Sequence, residues 1–213
     1  MRLWGEFYRL GLTDELCFSS TSFLEIFLNT SRRHRVDFQQ TFFEIFQLPE
    51  AYHLDVDQLS SSYLELQKRI HPDNFSSATD TEKRHSLQWA THVNEAFTTL
   101  KSPLQRAIYM LEQRGLSIAH NPNLEPAFLM SQIELREELD DISETASEEI
   151  DAALSRLDGF KSSVKETLSG LEDSFAVQFD VELAAAEQTT YKMQFMNKLL
   201  VAADQLEEQL LDY

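Results

Sequence analysis

Apolar residues in this chain recur at three- and four-residue intervals, and no run of alternating apolar and polar residues stands out. Leu59, Tyr63, Leu66 and Ile70 make one such stripe; Leu87, Ala90, Val93, Phe97 and Leu100 make another. A stripe of this period lies on one face of a helix, and burying it requires a second helix. Only 5 Gly and 5 Pro occur in 213 residues, too few for a protein of many strands and tight turns. The expectation is an all-α fold.

Punctuation divides the chain into elements. QTFFEIFQLP reads as a short apolar helix stopped by Pro49. Asp55 with Gln58 resembles a capping box opening the first long helix, which runs to His71. The cluster HPDNFSSATD is a loop. A longer helix follows over about Glu82–Lys101, then Ser102, Pro103 and Gln105 open the next, which Gly115 stops. NPNLEP is a second break, followed by helices over about 126–142, 148–175 and 181–211. Two helical units joined near residues 115–124 are expected. In the first, Tyr63, Leu66, Val93 and Phe97 form the core of an antiparallel pair, with His71 at the exposed tip.

Charge is distributed unevenly. Residues 1–37 carry five cations and five carboxylates, residues 38–114 seven against ten, and residues 115–213 six against twenty-one. The total of -18 argues against nucleic acid and anionic membrane as general partners. The single Cys17 rules out an intramolecular disulfide and a Cys-based metal site, and suits a reducing compartment. Residues 1–37 are an extension with no expected folded role. Acidic residues interrupt any signal-peptide core, and a misassigned start, with Val36 as a non-Met initiator, is the expectation for residues 1–35.

Catalytic patterns are sparse. Glu50-x-x-His53 and Glu82-x-x-His85 match the motif of di-iron bundles, but both fall in a turn or a polar first turn rather than inside long facing helices. No Gly-rich phosphate loop, nucleophile elbow or zinc-protease motif occurs. His92 reads as a tolerated helix residue. His71 and Asp73 flank Pro72 at a loop tip, where water screens the pair and no pocket is supplied. A docking role fits better: Pro72 stiffens the tip, Asp73 can pair with an arginine of a partner, and Lys68 and Arg69 can steer an acidic surface toward it. No metal, cofactor or catalytic residue is expected.

The order of these motifs, HPD between two apolar helices, then VNEAFTTL, then SPLQRAIYML, resembles a J-domain. Asn74 stands where the family usually has a cation. The resemblance implies that His71, Pro72 and Asp73, with Lys68 and Arg69, engage a DnaK/HscA-type chaperone and promote its ATP hydrolysis. The chain would then be a cochaperone, not an enzyme.

In the acidic half, FLMSQIELREELDDI presents two faces at about 100° per residue. Phe128, Leu135, Leu139 and Ile142 fall within roughly 40° of one another and form a core stripe. Leu129, Met130, Ile133, Glu137 and Asp141 fall on the far side, with Glu134 at the edge. Burial on both sides would hide them, but a three-helix unit has little second layer, so an exposed apolar patch with an acidic flank is expected, a docking surface.

The same segment, with YKMQFMNKLL and AADQLEEQLLDY, is similar to the HscB family, the J-domain cochaperones of iron–sulfur cluster assembly. The similarity covers about residues 38–213. It implies a J-domain over 38–113 and an acidic three-helix bundle over 114–213 in an L-shaped arrangement. It implies further that the bundle binds an IscU-type scaffold through Leu129, Met130, Ile133, Glu134, Glu137, Asp141 and Phe195. Phe195 reads equally as a core residue on the stripe Tyr191, Phe195, Leu199. Lacking the Cys-rich module of some eukaryotic members, the chain is expected to be bacterial and cytoplasmic, with the mitochondrial matrix as the alternative. A J-domain protein serving a different client is the alternative function.

Overall fold

The computed structural model describes residues 40–70, 79–118, 124–145 and 149–212. The expectations for residues 1–37, and for His71, Pro72, Asp73 and Asn74, lie outside the described residues. Those described form helices α1 (Phe42–Ile45), α2 (Val56–Ile70), α3 (Asp80–Lys101), α4 (Pro103–Gln113), α5 (Pro126–Thr145), α6 (Ile150–Val181) and α7 (Leu183–Leu211). No strand occurs among them, so the all-α expectation holds. None of these helices is long and apolar enough to cross a membrane.

The helices begin where side chains satisfy their first amides. Thr41 and Glu44 form a reciprocal box on α1, and Thr79 and Glu82 another on α3. Asp55 Oδ1 accepts from the amides of Asp57 and Gln58 at 2.9 and 3.0 Å. Ser102 caps α4, with Pro103 in its first turn. At the far end of α4, Gly115 takes φ +80°. Its amide bonds to Glu112 and that of Leu116 to Leu111, a Schellman closure that a β-carbon would strain.

Helices α2 and α3 pair as expected. Tyr63 and Phe97 stack at 4.0 Å between centroids, while Leu59, Leu66, Val93 and Leu100 are buried. Leu87 corrects the expectation: it is 63 % exposed, and Ser86 is buried in its place. Relative to Val93, Leu87 sits about 120° round the helix and Ser86 about 20°. A chain of three-residue steps drifts off the face that the longer stripe defines.

Two apolar clusters organise the described residues. One lies among α1–α4 and also takes in Phe175, Phe179, Ala186 and Met193 from α6 and α7. The other joins Ile142 of α5 with Leu157, Phe160 and Val164 of α6 and Phe195, Met196 and Leu199 of α7. Helix α6 continues past the expected stop at Phe175 as far as Val181, because Phe175 and Phe179, one turn apart, are both buried. The single extended residue Glu182 then separates it from α7. Lys161 of α6 bonds to Asp204 and Glu207 of α7, and these bonds raise its pKa.

Candidate docking surfaces

The described residues that flank positions 71–78 are held on both sides. On the α2 side, the hydroxyl of Ser86 donates to the carbonyl of Ile70 at 3.2 Å, satisfying one of the carbonyls a helix end leaves open. On the α3 side, the Glu82 carboxylate accepts from the amide and the hydroxyl of Thr79. Glu82 is thus committed to capping. The other Glu-x-x-His pair is not helical, and His53 faces Asp173 at 3.6 Å. Among the described residues no cluster of three or more His, Cys, Asp or Glu could hold a metal ion. Lys68 is exposed and Arg69 half-buried in the last turn of α2. A bridge of Gln67, Tyr63 and Asn94 holds α2 to α3: Gln67 donates to Asn94 Oδ1 at 2.6 Å and to the Tyr63 hydroxyl at 2.9 Å.

Helix α5 starts from Glu125, whose carbonyl receives the amides of Phe128 and Leu129, with Pro126 in the first helical position. Its inner face is the expected one. Phe128, Leu135 and Leu139 pack on the second cluster, and Ile142 is 1 % exposed within it. The outer face carries Leu129, Met130 and Ile133 at 45 %, 58 % and 51 % exposure. Glu134, Glu137, Glu138 and Asp141 are exposed beside them. Like charges at these spacings repel, and approach of a basic surface would relieve that repulsion.

Not all the expected surface residues are equally accessible. Asp141 is exposed but engaged, its Oδ2 2.7 Å from Arg156 Nη2, while Arg156 Nη1 donates to Thr145. Phe195 is 7 % exposed and meets Phe128 edge-on at 5.8 Å between centroids. It is therefore mostly core, with one flank on an open groove of about 430 Å³ bounded also by Leu124, Gln132 and Lys198. Arg136, not among the expected surface residues, also lines this groove and lies over the Phe195 ring at 5.7 Å. On the helical wheel it stands about 80° from Phe128, next to Leu129 at about 100°. That position was available from spacing alone.

Residues 124–204 match the family model described as the HSCB C-terminal oligomerisation domain. The structure is similar to the chaperone HscB from Vibrio cholerae, with TM-score 0.71 and 35 % identity, covering 80 % of this chain and 99 % of that one. Human co-chaperone protein HscB shares the fold at TM-score 0.74 and 24 % identity, over 96 % of this chain and 94 % of its own. The Jac1 co-chaperone of Saccharomyces cerevisiae does so at 0.59 and 23 %, over 81 % and 95 %. A capped helical pair closed by α4 and a three-helix bundle with an open apolar ridge define the class, a J-type co-chaperone. More narrowly, the identity with the Vibrio protein over nearly its full length shows that the chain belongs to the HscB family, whose members act as co-chaperones in iron–sulfur cluster assembly.

Proposed function

We propose that this chain carries an IscU-type scaffold to an HscA/DnaK-type chaperone and stimulates that chaperone's ATPase, so that cluster transfer to acceptors is favoured. The scaffold docks on the outer face of α5, with Leu129, Met130 and Ile133 as the apolar centre and Glu134, Glu137 and Asp141 as the acidic rim. Phe195 supports that surface from beneath. The chaperone docks at the other segment, through His71, Pro72 and Asp73, with Lys68 and Arg69 steering the encounter. Residues 38–113 form the chaperone-facing module and residues 114–213 the scaffold-facing one.

The observation that carries this reading is the exposure of three large apolar side chains on a helix whose opposite face is already in a core. Folding leaves their apolar area in water, and a partner that covers it recovers about 25 cal/mol per Å². Asp141 fits as well: a cation on the scaffold could share its carboxylate with Arg156.

Chaperone ATPase rate, measured against this protein with and without an IscU-type scaffold, tests the proposal. The full chain should raise the basal rate, and the scaffold should raise it further. Leu129→Ala with Met130→Ala and Ile133→Ala should abolish the scaffold's increment and keep the basal stimulation. His71→Gln should do the reverse, losing stimulation while scaffold binding persists. Stimulation without scaffold binding by the unaltered chain would point to a different client.

A further inference from the structure

The acidic half of the chain contains six cations: Arg136, Arg156, Lys161, Lys165, Lys192 and Lys198. Three are committed within the fold, Arg156 to Asp141, Lys161 to Asp204 and Glu207, and Lys192 to Glu125 at 3.6 Å. Arg136, Lys165 and Lys198 make no ion pair among the described residues, although twenty-one carboxylates lie in the same segment; Arg136 and Lys198 are the two of these that meet at one place. Both are exposed, and both line the groove beside Phe195, between α4, α5 and α7. Glu112 is the carboxylate that lines it with them. The remaining walls include Ile108, Ile118 and Leu124.

This groove is continuous with the apolar ridge. Arg136 is three residues on from Ile133 and borders Leu129 on the wheel, so it stands at the boundary between the two. The Arg136 guanidinium lies over the Phe195 ring at 5.7 Å, a cation–π approach that keeps its charge at the groove. Two unpaired cations over an apolar floor suit a side chain or chain segment that is acidic at one point and apolar beside it.

We propose that Arg136 and Lys198 extend the scaffold-docking surface into this groove and receive a carboxylate of the same scaffold protein that covers Leu129, Met130 and Ile133. The inference rests on the reading given under Proposed function and adds its specificity. The partner surface must then carry both signs, basic opposite Glu134, Glu137 and Asp141, and acidic opposite Arg136 and Lys198. Such a pattern fixes the register of docking, because a shift would set like charges against each other.

The sign of a charge reversal tests it. Against a purely basic partner, making this surface more negative strengthens binding. Against a partner that places a carboxylate in the groove, it weakens binding. Affinity of the full chain for an IscU-type scaffold would be measured by titration calorimetry for the unaltered chain, Arg136→Glu/Lys198→Glu, and Arg136→Gln/Lys198→Gln. Lys165→Glu, an exposed reversal outside the groove, calibrates the long-range effect. The expected result is a loss of about tenfold or more for the double reversal and a smaller loss for the neutral pair, with Lys165→Glu unchanged or tighter. A double reversal that binds as well as or better than the unaltered chain overturns the inference, even where the triple alanine variant of the ridge fails to bind. No binding by the unaltered chain overturns both readings, whereas a ridge variant that still binds overturns only the ridge.

Discussion

Arg106 is 4 % exposed, an unusual place for a guanidinium. Its Nε donates to the carbonyl of Leu100 at 2.8 Å and its Nη1 to that of Tyr52 at 2.6 Å. It thus ties the end of α3 to the segment before α2, with its charge 5.5 Å from the Tyr52 ring centroid. Burial lowers its pKa and raises that of Tyr52. Three residues on, the Tyr109 hydroxyl accepts from the Phe42 amide at 2.8 Å and its ring stacks on Phe42. The sequence pattern Pro103, Arg106, Tyr109 is therefore a set of fasteners closing the first segment. Arg106→Ala should destabilise the fold by about 3–5 kcal/mol, since it strands two buried carbonyls and opens a cavity. Tyr109→Phe should lose about 1 kcal/mol, leaving one amide without its acceptor. Chemical denaturation checks both, and a loss below about 1 kcal/mol for Arg106→Ala would show the guanidinium to be dispensable.

At the scale of elements, α6 sets a titratable group against that fastener. The Glu172 carboxyl has its pKa raised, chiefly by burial, with Arg106 opposing. A carboxyl that holds its proton more tightly folded than unfolded stabilises the fold below its unfolded pKa, and that contribution is lost as pH rises through the folded value. Glu172→Gln should therefore gain in Tm on the unaltered chain near neutral pH, and the gain should shrink on acidification toward about pH 4. A Tm difference that does not vary across that range would remove Glu172 from the account. Elements of this kind were only partly legible in the sequence. Local rules were: the caps at Asp55 and Ser102, the stop at Gly115 and the two-faced α5 all follow from chemistry within a few residues. Leu87 departs from the stripe because successive i, i+3 steps rotate it off the face that Val93 and Leu100 define. The continuation of α6 past Phe175 was not legible, since neither Gly nor Pro marks the corner at Glu182 and the burial of Phe179 depends on distant helices. The stripe through Phe195 reports only that it is covered, and the structure shows it 7 % exposed at the margin of a groove.

For the whole molecule, the decisive residue is Phe175. It belongs to α6, yet it is fully buried in the cluster built mainly by α1–α4, with its ring 4.7 Å from that of Tyr52 and 5.7 Å from that of Phe179. Leu168 and Leu171 touch both apolar clusters. Helices α1–α4 and the bundle of α5–α7 therefore share packed side chains, and disturbing one should be felt in the other. Phe175→Ala removes a large ring from that shared region at a cost of about 3–5 kcal/mol. A single cooperative unit would lose amide protection in α3, α4 and α6 together, and its thermal unfolding would remain one transition at lower Tm. Protection lost in α6 alone, or two separate transitions, would mean that the segments unfold independently. The variant should still bind scaffold below its Tm, because Leu129, Met130 and Ile133 lie on the exposed face of α5, whose inner face packs in the other cluster. Retained scaffold affinity with coupled loss of protection would show that the joint sets stability and leaves the docking face chemically intact.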